Sequence, residues 1–383
     1  MPAFALFDDR VEVWAAENFT RDTNVFRLSD AVDPATVGGT QRGDSIYTTH
    51  LGVTAGVPIS LQRVEAAYTW YTARYRHYED LDYDGHTARA AWHWVYGHAN
   101  GLAEYTEAVG LSSFSNIQAR LKDLITSRQA QVTGEWLATP RWKWNGRLFA
   151  ASSDHSSEVR SINDIEEAGV EAGGSYVTPL DNSIGAVVRY QRGRSPHGSI
   201  FSVEPGVPLL FDNEYDQVGG GATVAWNLSG HSRFDGRLEY VRRDYKQLTA
   251  RNYDGPAFRA LYTWTPTGKV KVTAAALREI GPAQDIQSSL VVVTGAYIRP
   301  LWNVTDKIIV QGNLEYNVWD YKGDPVTGQG FTHRQRLFGA SVQWKPYERV
   351  FLSAGMNREV RTSTLPFGDY DVNVGFIEGR IGF

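Results

Sequence analysis

The chain has 383 residues, no Cys and a formal net charge of -5 at pH 7. The absence of Cys excludes a disulfide framework and a thiol site, and the acidic balance argues against general nucleic-acid binding. Aromatic residues make up 13% of the chain, whereas mean hydropathy is only -0.36. No run of about 18 apolar residues is present, so no transmembrane helix is expected. Low hydropathy with many aromatic residues favours a β-barrel, in which only alternate strand residues face lipid.

Apolar and polar residues alternate from the first segment, 10–28, through the rest of the chain. In residues 63–78, for example, Val64, Ala66 and Tyr68 share one face of a strand. Long polar connections alternate with short ones rich in Pro, Gly, Asn and Asp, as tight turns require. The long connections lie at 29–44, 79–86, 151–164, 193–216, 246–255, 281–286, 322–332 and 362–369. The short ones lie at 59–62, 97–101, 139–141, 178–182, 228–231, 265–268, 299–303 and 345–348.

This rhythm predicts an all-β protein, a transmembrane antiparallel up-and-down β-barrel of about 18 strands. Its turns would be short on the periplasmic side and longer on the extracellular side, as in bacterial outer membranes. One barrel domain would cover residues 1–383. The alternative is a soluble many-stranded β protein, in which aromatic residues would concentrate in the middle of strands.

Aromatic residues instead lie near both ends of the predicted strands, which favours the membrane barrel. Interfacial anchoring predicts two belts of such residues about one bilayer apart. The belt beside the short turns would contain Trp136, Trp142, Trp144, Trp226, Trp264, Trp302 and Trp344. The belt beside the long loops would contain Tyr75, Tyr78, Tyr83, Tyr245, Tyr253, Trp319 and Tyr321.

The final segment, 368–383, alternates and ends on the aromatic Phe383. A soluble edge strand of this kind would expose unpaired backbone groups, whereas a closed barrel pairs it with the first strand. We therefore expect Phe383 to help the barrel-assembly machinery recognise the chain. The location would be the bacterial outer membrane, with a signal peptide removed before Met1 and Pro2.

Residues 116–125 fit the barrel pattern less well. Ile117, Leu121, Leu124 and Ile125 lie at helical spacing. The segment is either a short helix on an extracellular loop or in the lumen, or the ends of two long strands.

Few residues suggest chemistry. The stretch from Asp80 to Gly85 matches the opening of a calcium loop, but Ala91 stands where the bidentate Glu is needed. No nucleophile elbow, zinc motif or phosphate loop is present. Gly219–Gly221 predicts a bulge or a close backbone approach. We predict no enzyme activity, no metal and no cofactor.

The strand face opposite the apolar one should line the lumen. The pore-lining residues predicted in this way are Arg89, His93, Arg147, Arg189, Gln191, Arg237, Glu239, Arg243, Arg259, Gln311, Asn313 and Glu315. Lys143, Lys271, Glu65, Glu135 and Glu171 share that face. Basic groups outnumber acidic ones in this set, which predicts anion preference. The alternative is that Arg–Glu pairs simply brace the wall of a polar lumen.

Several short motifs resemble a known family. Phe19-Thr-Arg-Asp-Thr-Asn-Val-Phe-Arg-Leu-Ser-Asp30 resembles the opening of the EpsL-like β-barrel porins of exopolysaccharide operons. The stretch 75–82, Leu111-Ser-Ser-Phe114 and the terminal Phe383 are also similar to that family. The resemblance implies an outer-membrane porin that passes a secreted exopolysaccharide made by inner-membrane machinery, with no catalytic residues to carry over.

The leading functional hypothesis is therefore exopolysaccharide export, with a role in secretion and biofilm formation. One alternative is a diffusion or uptake porin for small anionic solutes or oligosaccharides. Another is an outer-membrane barrel enzyme. Expected partners are the polysaccharide, lipopolysaccharide and other outer-membrane lipid, the assembly machinery, and periplasmic or inner-membrane synthesis and export proteins. Nucleic acid is not an expected partner.

Overall fold

Eighteen antiparallel strands close into one barrel in this computed structural model. The structure describes residues 10–115, 117–197, 199–204, 207–211, 213–285, 288–322 and 330–383, so Met1 and Pro2 lie outside it. The first nine strands are β1 (Val11–Asp22), β2 (Asp44–Ile59), β3 (Gln62–Tyr75), β4 (Tyr83–Tyr96), β5 (Ala99–Leu111), β6 (Leu124–Thr139), β7 (Trp142–His155), β8 (Ile165–Val177) and β9 (Ser183–Arg194). A separate hairpin follows, made of β10 (Ser199–Glu204) and β11 (Val207–Phe211).

The second half of the wall consists of nine further strands. They are β12 (Tyr215–Ser229), β13 (Ser232–Tyr245), β14 (Tyr253–Thr267), β15 (Val270–Asp285), β16 (Ser288–Asn303), β17 (Ile308–Lys322), β18 (Phe331–Tyr347), β19 (Val350–Ser363) and β20 (Tyr370–Gly382). In the described ranges, four short 3-10 helices lie in the extracellular connections, at Pro34–Val37, Glu79–Leu81, Glu158–Asn163 and Thr249–Arg251.

The barrel is closed because the first strand pairs with the last. Trp14 of β1 lies opposite Gly382 of β20, and the backbone N–H of Phe383 donates to the carbonyl of Val13 at 2.8 Å. β1 pairs with β2 on its other side, so neither strand is an edge. The prediction of a closed antiparallel barrel of about eighteen strands is confirmed.

Alternation along each strand separates an outer apolar face from an inner polar face. Leu148, Val188, Leu238 and Phe338 are large apolar side chains that remain exposed on the outside of the wall. A slip of one residue in any pairing would reverse the two faces of that strand, so the apolar outer face fixes the register.

The Trp belt beside the short turns is present on the outer face. Six of its seven predicted members are exposed there, namely Trp136, Trp142, Trp144, Trp264, Trp302 and Trp344. These side chains have an apolar ring and a polar N–H, which suits the membrane–water interface.

The prediction that an aromatic belt beside the long loops faces lipid is wrong for the residues that were assigned to it. Tyr75, Tyr78, Tyr245 and Tyr321 are buried, and they belong to apolar clusters on the inner side of the extracellular end. Other aromatic residues of the same half of the barrel face outward instead. They are Phe19, Tyr47, Tyr68, Tyr105, Tyr190, Tyr240 and Tyr316.

Two local predictions are resolved by the structure. The described residues of segment 116–125 form no helix, since 117–123 are irregular and β6 begins at Leu124. Gly219–Gly221 is a close approach and not a bulge, because a Cβ at Gly221 would lie 1.9 Å from the carbonyl oxygen of Leu238. None of the helices in the described ranges is long and apolar enough to cross a membrane.

Candidate functional site

Three extracellular loops meet in an apolar core at one side of the barrel mouth. They are residues 23–43, 76–82 and 112–123, and they pack on inward side chains of β2, β3 and β4. Phe26 is fully buried, with its ring 4.8 Å from that of Tyr78 and 5.2 Å from that of Phe114, both edge-on. We call this cluster, completed by Val25, Leu28, Tyr75 and Leu81, the mouth core.

The mouth core unites the motifs that carry the family resemblance. Phe26 and Leu28 come from the first motif, Tyr78 from the second and Phe114 from the third. Motifs far apart in sequence therefore form one packed unit.

Polar contacts tie the 112–123 loop to the rest of the mouth. Arg361 of β19 donates to the carbonyl of Ser115 at 2.5 Å, so this loop reaches the wall on the far side of β1. Arg120 donates to Asp80 at 2.9 Å and holds the pKa of that carboxyl below its usual range. Asp82 accepts from the backbone N–H of Tyr75 at 2.7 Å. The acidic residues of the failed calcium motif thus have cationic or amide partners.

A second core lies across the mouth, around β12 and β13. Tyr215, Tyr245 and Leu248 form it. Arg243 is only 1% exposed, stacks 4.0 Å above the ring of Tyr215 and donates to Gln217 at 2.8 Å. Gln191 is 7% exposed and donates to the hydroxyl of Tyr215 at 3.4 Å. Arg243 and Gln191 therefore point inward but are covered, which corrects the expectation that they face open water.

The same hydrogen-bond pattern closes one loop beside each of the two cores. The backbone N–H of Tyr75 donates to Asp82, and that of Tyr245 donates to Asn252 at 2.8 Å. Each loop contains a one-turn 3-10 helix. The sequence carries a signal for this closure, since Tyr-Asp-Gly follows the closing Asp or Asn at 83–85 and at 253–255.

At mid-height, a chain of hydrogen bonds crosses five strands of the inner wall, from β3 to β7. Arg89 donates to Glu65 at 2.9 Å and to Glu104 at 2.7 Å. Gln131 donates to Glu104 at 2.8 Å, and Arg147 donates to Gln131 at 3.0 Å. We call this chain the polar belt. His93 lies beside it, 45% exposed and 3.6 Å from Glu65.

A second ion-paired group continues the inner wall from β8 to β13. Arg237 makes two hydrogen bonds to Glu171, at 3.1 and 2.7 Å, and two to Glu239, at 2.7 and 2.8 Å. Glu171 lies on β8, so Arg237 reaches past β9 and β12. Gly219 and Gly221 present no side chains on the inner face of β12, which leaves its path clear.

Two guanidinium groups where these networks meet, that of Arg147 at the end of the polar belt and that of Arg189, have no carboxylate partner. Arg147 and Arg189 are the direct register neighbours of Glu171 on β7 and β9, yet Glu171 bonds Arg237 instead. Within the described ranges, Arg147 hydrogen-bonds only Gln131, and Arg189 has no side-chain partner. The positive charge of the lumen is therefore least compensated on β7 to β9.

Strands β14 to β17 carry the other predicted residues. Arg259 pairs with Glu279 at 2.8 Å. Arg299 donates to Asn313 at 3.1 Å and to Glu315 at 3.3 Å. Gln311, Asn313 and Arg299 also line a cavity of about 500 Å³.

Arg299 was not among the predicted pore residues. Residues 299–303 contain Pro300 and looked like a turn, but β16 continues through Pro300 to Asn303 and the turn lies at 304–307. The outer-face exposure of Ile298 and Trp302 places Arg299 on the inner face.

The inward charges are more evenly balanced than the sequence predicted. Alternation and ion pairing also place Glu12, Glu104, Glu279 and Glu359 on the inner face. The general basic excess is therefore smaller than predicted, with a local excess at Arg147 and Arg189 and, within the described ranges, an unpaired Lys271 on β15.

Comparisons with known proteins agree with the barrel. Residues 213–383, which span β12 to β20, match the family model described as "Putative beta-barrel porin 2". No curated protein matches the chain.

Solved structures show the same fold at low sequence identity. OccAB3 of Acinetobacter baumannii is 10% identical, with a TM-score of 0.50 over 98% of this chain and 99% of the other. OpdK of Pseudomonas aeruginosa, solved with vanillate, is 9% identical, with a TM-score of 0.50 over 98% and 99%. A BenF-like porin from Pseudomonas fluorescens Pf-5 is 8% identical, with a TM-score of 0.50 over 97% and 99%.

Proposed function

We propose that this outer-membrane β-barrel porin is a diffusion and uptake channel for small anionic solutes. The observation that carries the proposal is the pair Arg147 and Arg189. Their guanidinium groups lie on the inner wall without a carboxylate partner, beside networks in which other Arg residues are paired. An uncompensated cation in a channel lowers the barrier for anions and raises it for cations.

The architecture of the mouth favours small solutes over a bulky chain. The mouth core and the second core occupy parts of its inner side, and the contact between Ser115 and Arg361 joins the 112–123 loop to β19. Packed aromatic cores do not move aside easily, since protein interiors are close-packed. A small ion needs less of the remaining opening than a polymer does.

The experiment measures ion selectivity in planar bilayers under a salt gradient. The wild-type protein should prefer anions, and the double substitution R147Q/R189Q should shift the reversal potential toward cation selectivity. The effect should weaken toward 1 M salt, where the screening length falls to about 3 Å.

A matched control removes two charges elsewhere in the lumen. Arg63 and Arg233 are each the second residue of their strand, close to the periplasmic turns, and each is paired with an acidic neighbour. R63Q/R233Q should shift selectivity less, because the charges lie at the rim where water screens them. Cation selectivity of the wild-type protein, or equal shifts in both double variants, would contradict the proposal.

Export of a secreted exopolysaccharide is the second candidate. The observation that favours it is the convergence of the three resemblance motifs in the mouth core, since a shared packed unit suggests a shared task. Its test is deletion of the gene with measurement of polymer inside and outside the cell. Polymer retained in the periplasm would support export, and unchanged secretion would exclude it. Periplasmic or inner-membrane synthesis and export proteins are the partners that this candidate requires.

A further inference from the structure

The inner wall formed by β15 to β20 contains a side cavity of about 500 Å³. This volume is in the usual range for small-molecule sites. Polar groups come from five neighbouring strands and an apolar ring from the sixth. The lumen-facing residues that the argument uses are Lys271, Arg299, Gln311, Ser341, Asn357 and Phe376.

The polar side chains of this cavity are largely unused by the protein. Within the described ranges, Lys271, Gln311, Ser341 and Asn357 have no side-chain hydrogen bond or ion pair. This differs from the polar belt, in which each carboxylate and amide bonds a neighbouring strand. Polar groups that are gathered in a concave site and left open are available to a ligand.

Glycine keeps the cavity open at its floor. A Cβ at Gly339 would lie 2.2 Å from Oδ1 of Asn357 and 3.5 Å from Cβ of Asn313. A side chain at this position would therefore displace Asn357.

The chemistry of the lining selects the ligand class. The lining contains two cations, Lys271 and Arg299, and no carboxylate. Glu315, beside the lining, pairs with Arg299, and Glu378 lies two residues along β20 from Phe376. Gln311, Ser341 and Asn357 can both donate to and accept from hydroxyl groups. Phe376 offers an apolar surface to the carbon-bound hydrogens of a sugar ring.

We infer that this cavity binds a sugar acid, a solute with one carboxylate and several hydroxyl groups. The inference rests on the proposed uptake of small anions and gives that uptake a solute class. The cavity lies across the lumen from Arg147 and Arg189 by strand order. It is also closer to the periplasmic turns, since Lys271 is the second residue of β15 and Gln311 the fourth of β17. A solute entering from outside meets Arg147 and Arg189, which have no carboxylate partner, first and this cavity afterwards.

The test measures block of single-channel current by galacturonate, with galactose and propionate as comparison solutes. Galacturonate should block the wild-type channel best, because galactose lacks the charge and propionate lacks the hydroxyl groups. K271Q/R299Q should weaken the galacturonate block about tenfold, as expected for the loss of hydrogen bonds to a charged group. R63Q/R233Q, which removes two charges at a similar height outside the cavity, should leave the block within about twofold of wild type.

A second variant probes the cavity without changing charge. G339A should also weaken the galacturonate block, because Asn357 has to move, while ion selectivity stays as in wild type. Heat-modifiable migration on gels verifies that each variant has folded. Equal block in K271Q/R299Q and R63Q/R233Q would overturn the cavity as the site, and propionate blocking as well as galacturonate would overturn the sugar-acid class. Either result leaves the selectivity test of Arg147 and Arg189 intact, so the two proposals fail separately.

Discussion

The two rims of the barrel both concentrate aromatic residues but point them in opposite directions. At the periplasmic rim, Trp142, Trp264 and Trp344 face outward and are about half exposed. At the extracellular rim, Tyr75, Tyr245 and Tyr321 face inward and are buried. A strand-end aromatic residue can therefore anchor a barrel in lipid or organise its mouth, and strand parity decides which.

Loop length explains the difference. The periplasmic turns contain two to five residues, which offer nothing to pack against on the inside. Most extracellular loops are longer, although only two residues separate β15 from β16. The 23–43 loop needs a core of its own because a loop without buried apolar contacts stays mobile. Inward aromatic residues at the strand ends provide the base of that core.

The largest effect is expected at the extracellular rim, where the aromatic residues face inward. Phe26→Ala removes a fully buried ring from the mouth core, and such truncations cost about 3–5 kcal/mol. We expect faster amide hydrogen exchange in loops 76–82 and 112–123, with the strands unaffected. Trp302→Ala, at the periplasmic rim, is the control and should leave amide exchange in those loops unchanged. Unchanged loop exchange in Phe26→Ala would show that the mouth core does not hold the loops.

A smaller effect is expected from substitutions at two adjacent residues of β12, which test which face of the strand each residue occupies. Val224 faces outward on β12 by alternation with its exposed neighbour Ala222, and Thr223 faces inward. Val224→Arg should lower the unfolding free energy by about 2–4 kcal/mol near the bilayer midplane and less toward the interface. Thr223→Arg should cost less than Val224→Arg, because its side chain enters the aqueous lumen, where repulsion from its register partner Arg237 is screened. Equal losses of stability, measured by unfolding in lipid vesicles, would contradict the assigned faces.

The smallest effect concerns the ion pair between Arg120 and Asp80, which we call the polar clamp of the mouth. Arg120 lowers the pKa of Asp80, so the clamp is complete at neutral pH and is lost as pH falls through that lowered pKa. The pair is exposed and contributes at most about 1 kcal/mol. Current fluctuations from the 112–123 loop should therefore increase modestly in acid. Asp80→Asn should show the increased fluctuations already at neutral pH and lose their pH dependence, and pH-independent fluctuations in wild type would rule out the clamp.

The wall of the barrel could be predicted from sequence because its signals are local. Alternation with period two is visible in each segment, and turn residues mark the segment ends. The outer positions of Leu148, Val188 and Phe338 follow from parity alone. Even Glu104, absent from the predicted set, follows the alternation of β5.

The mouth and the charge pairing could not be predicted, because both depend on contacts between distant segments. Nothing local to Tyr78 indicates that Phe26 and Phe114 will cover it. Glu171 pairs with Arg237 and not with Arg189, its direct neighbour on β9, and this choice depends on the register of four strands. Arg299 was missed for another reason, since Pro300 resembles a turn residue although it lies within a strand.

The ion pair between Arg237 and Glu171 also affects the shape of the channel. β8 and β13 are three steps apart in the wall, or about 14 Å at the usual spacing of neighbouring strands. Side chains that meet over this distance have to lie along the circumference, above the bare glycine face of β12. The pair therefore braces four strands against sliding past one another while leaving the cross-section of the channel free.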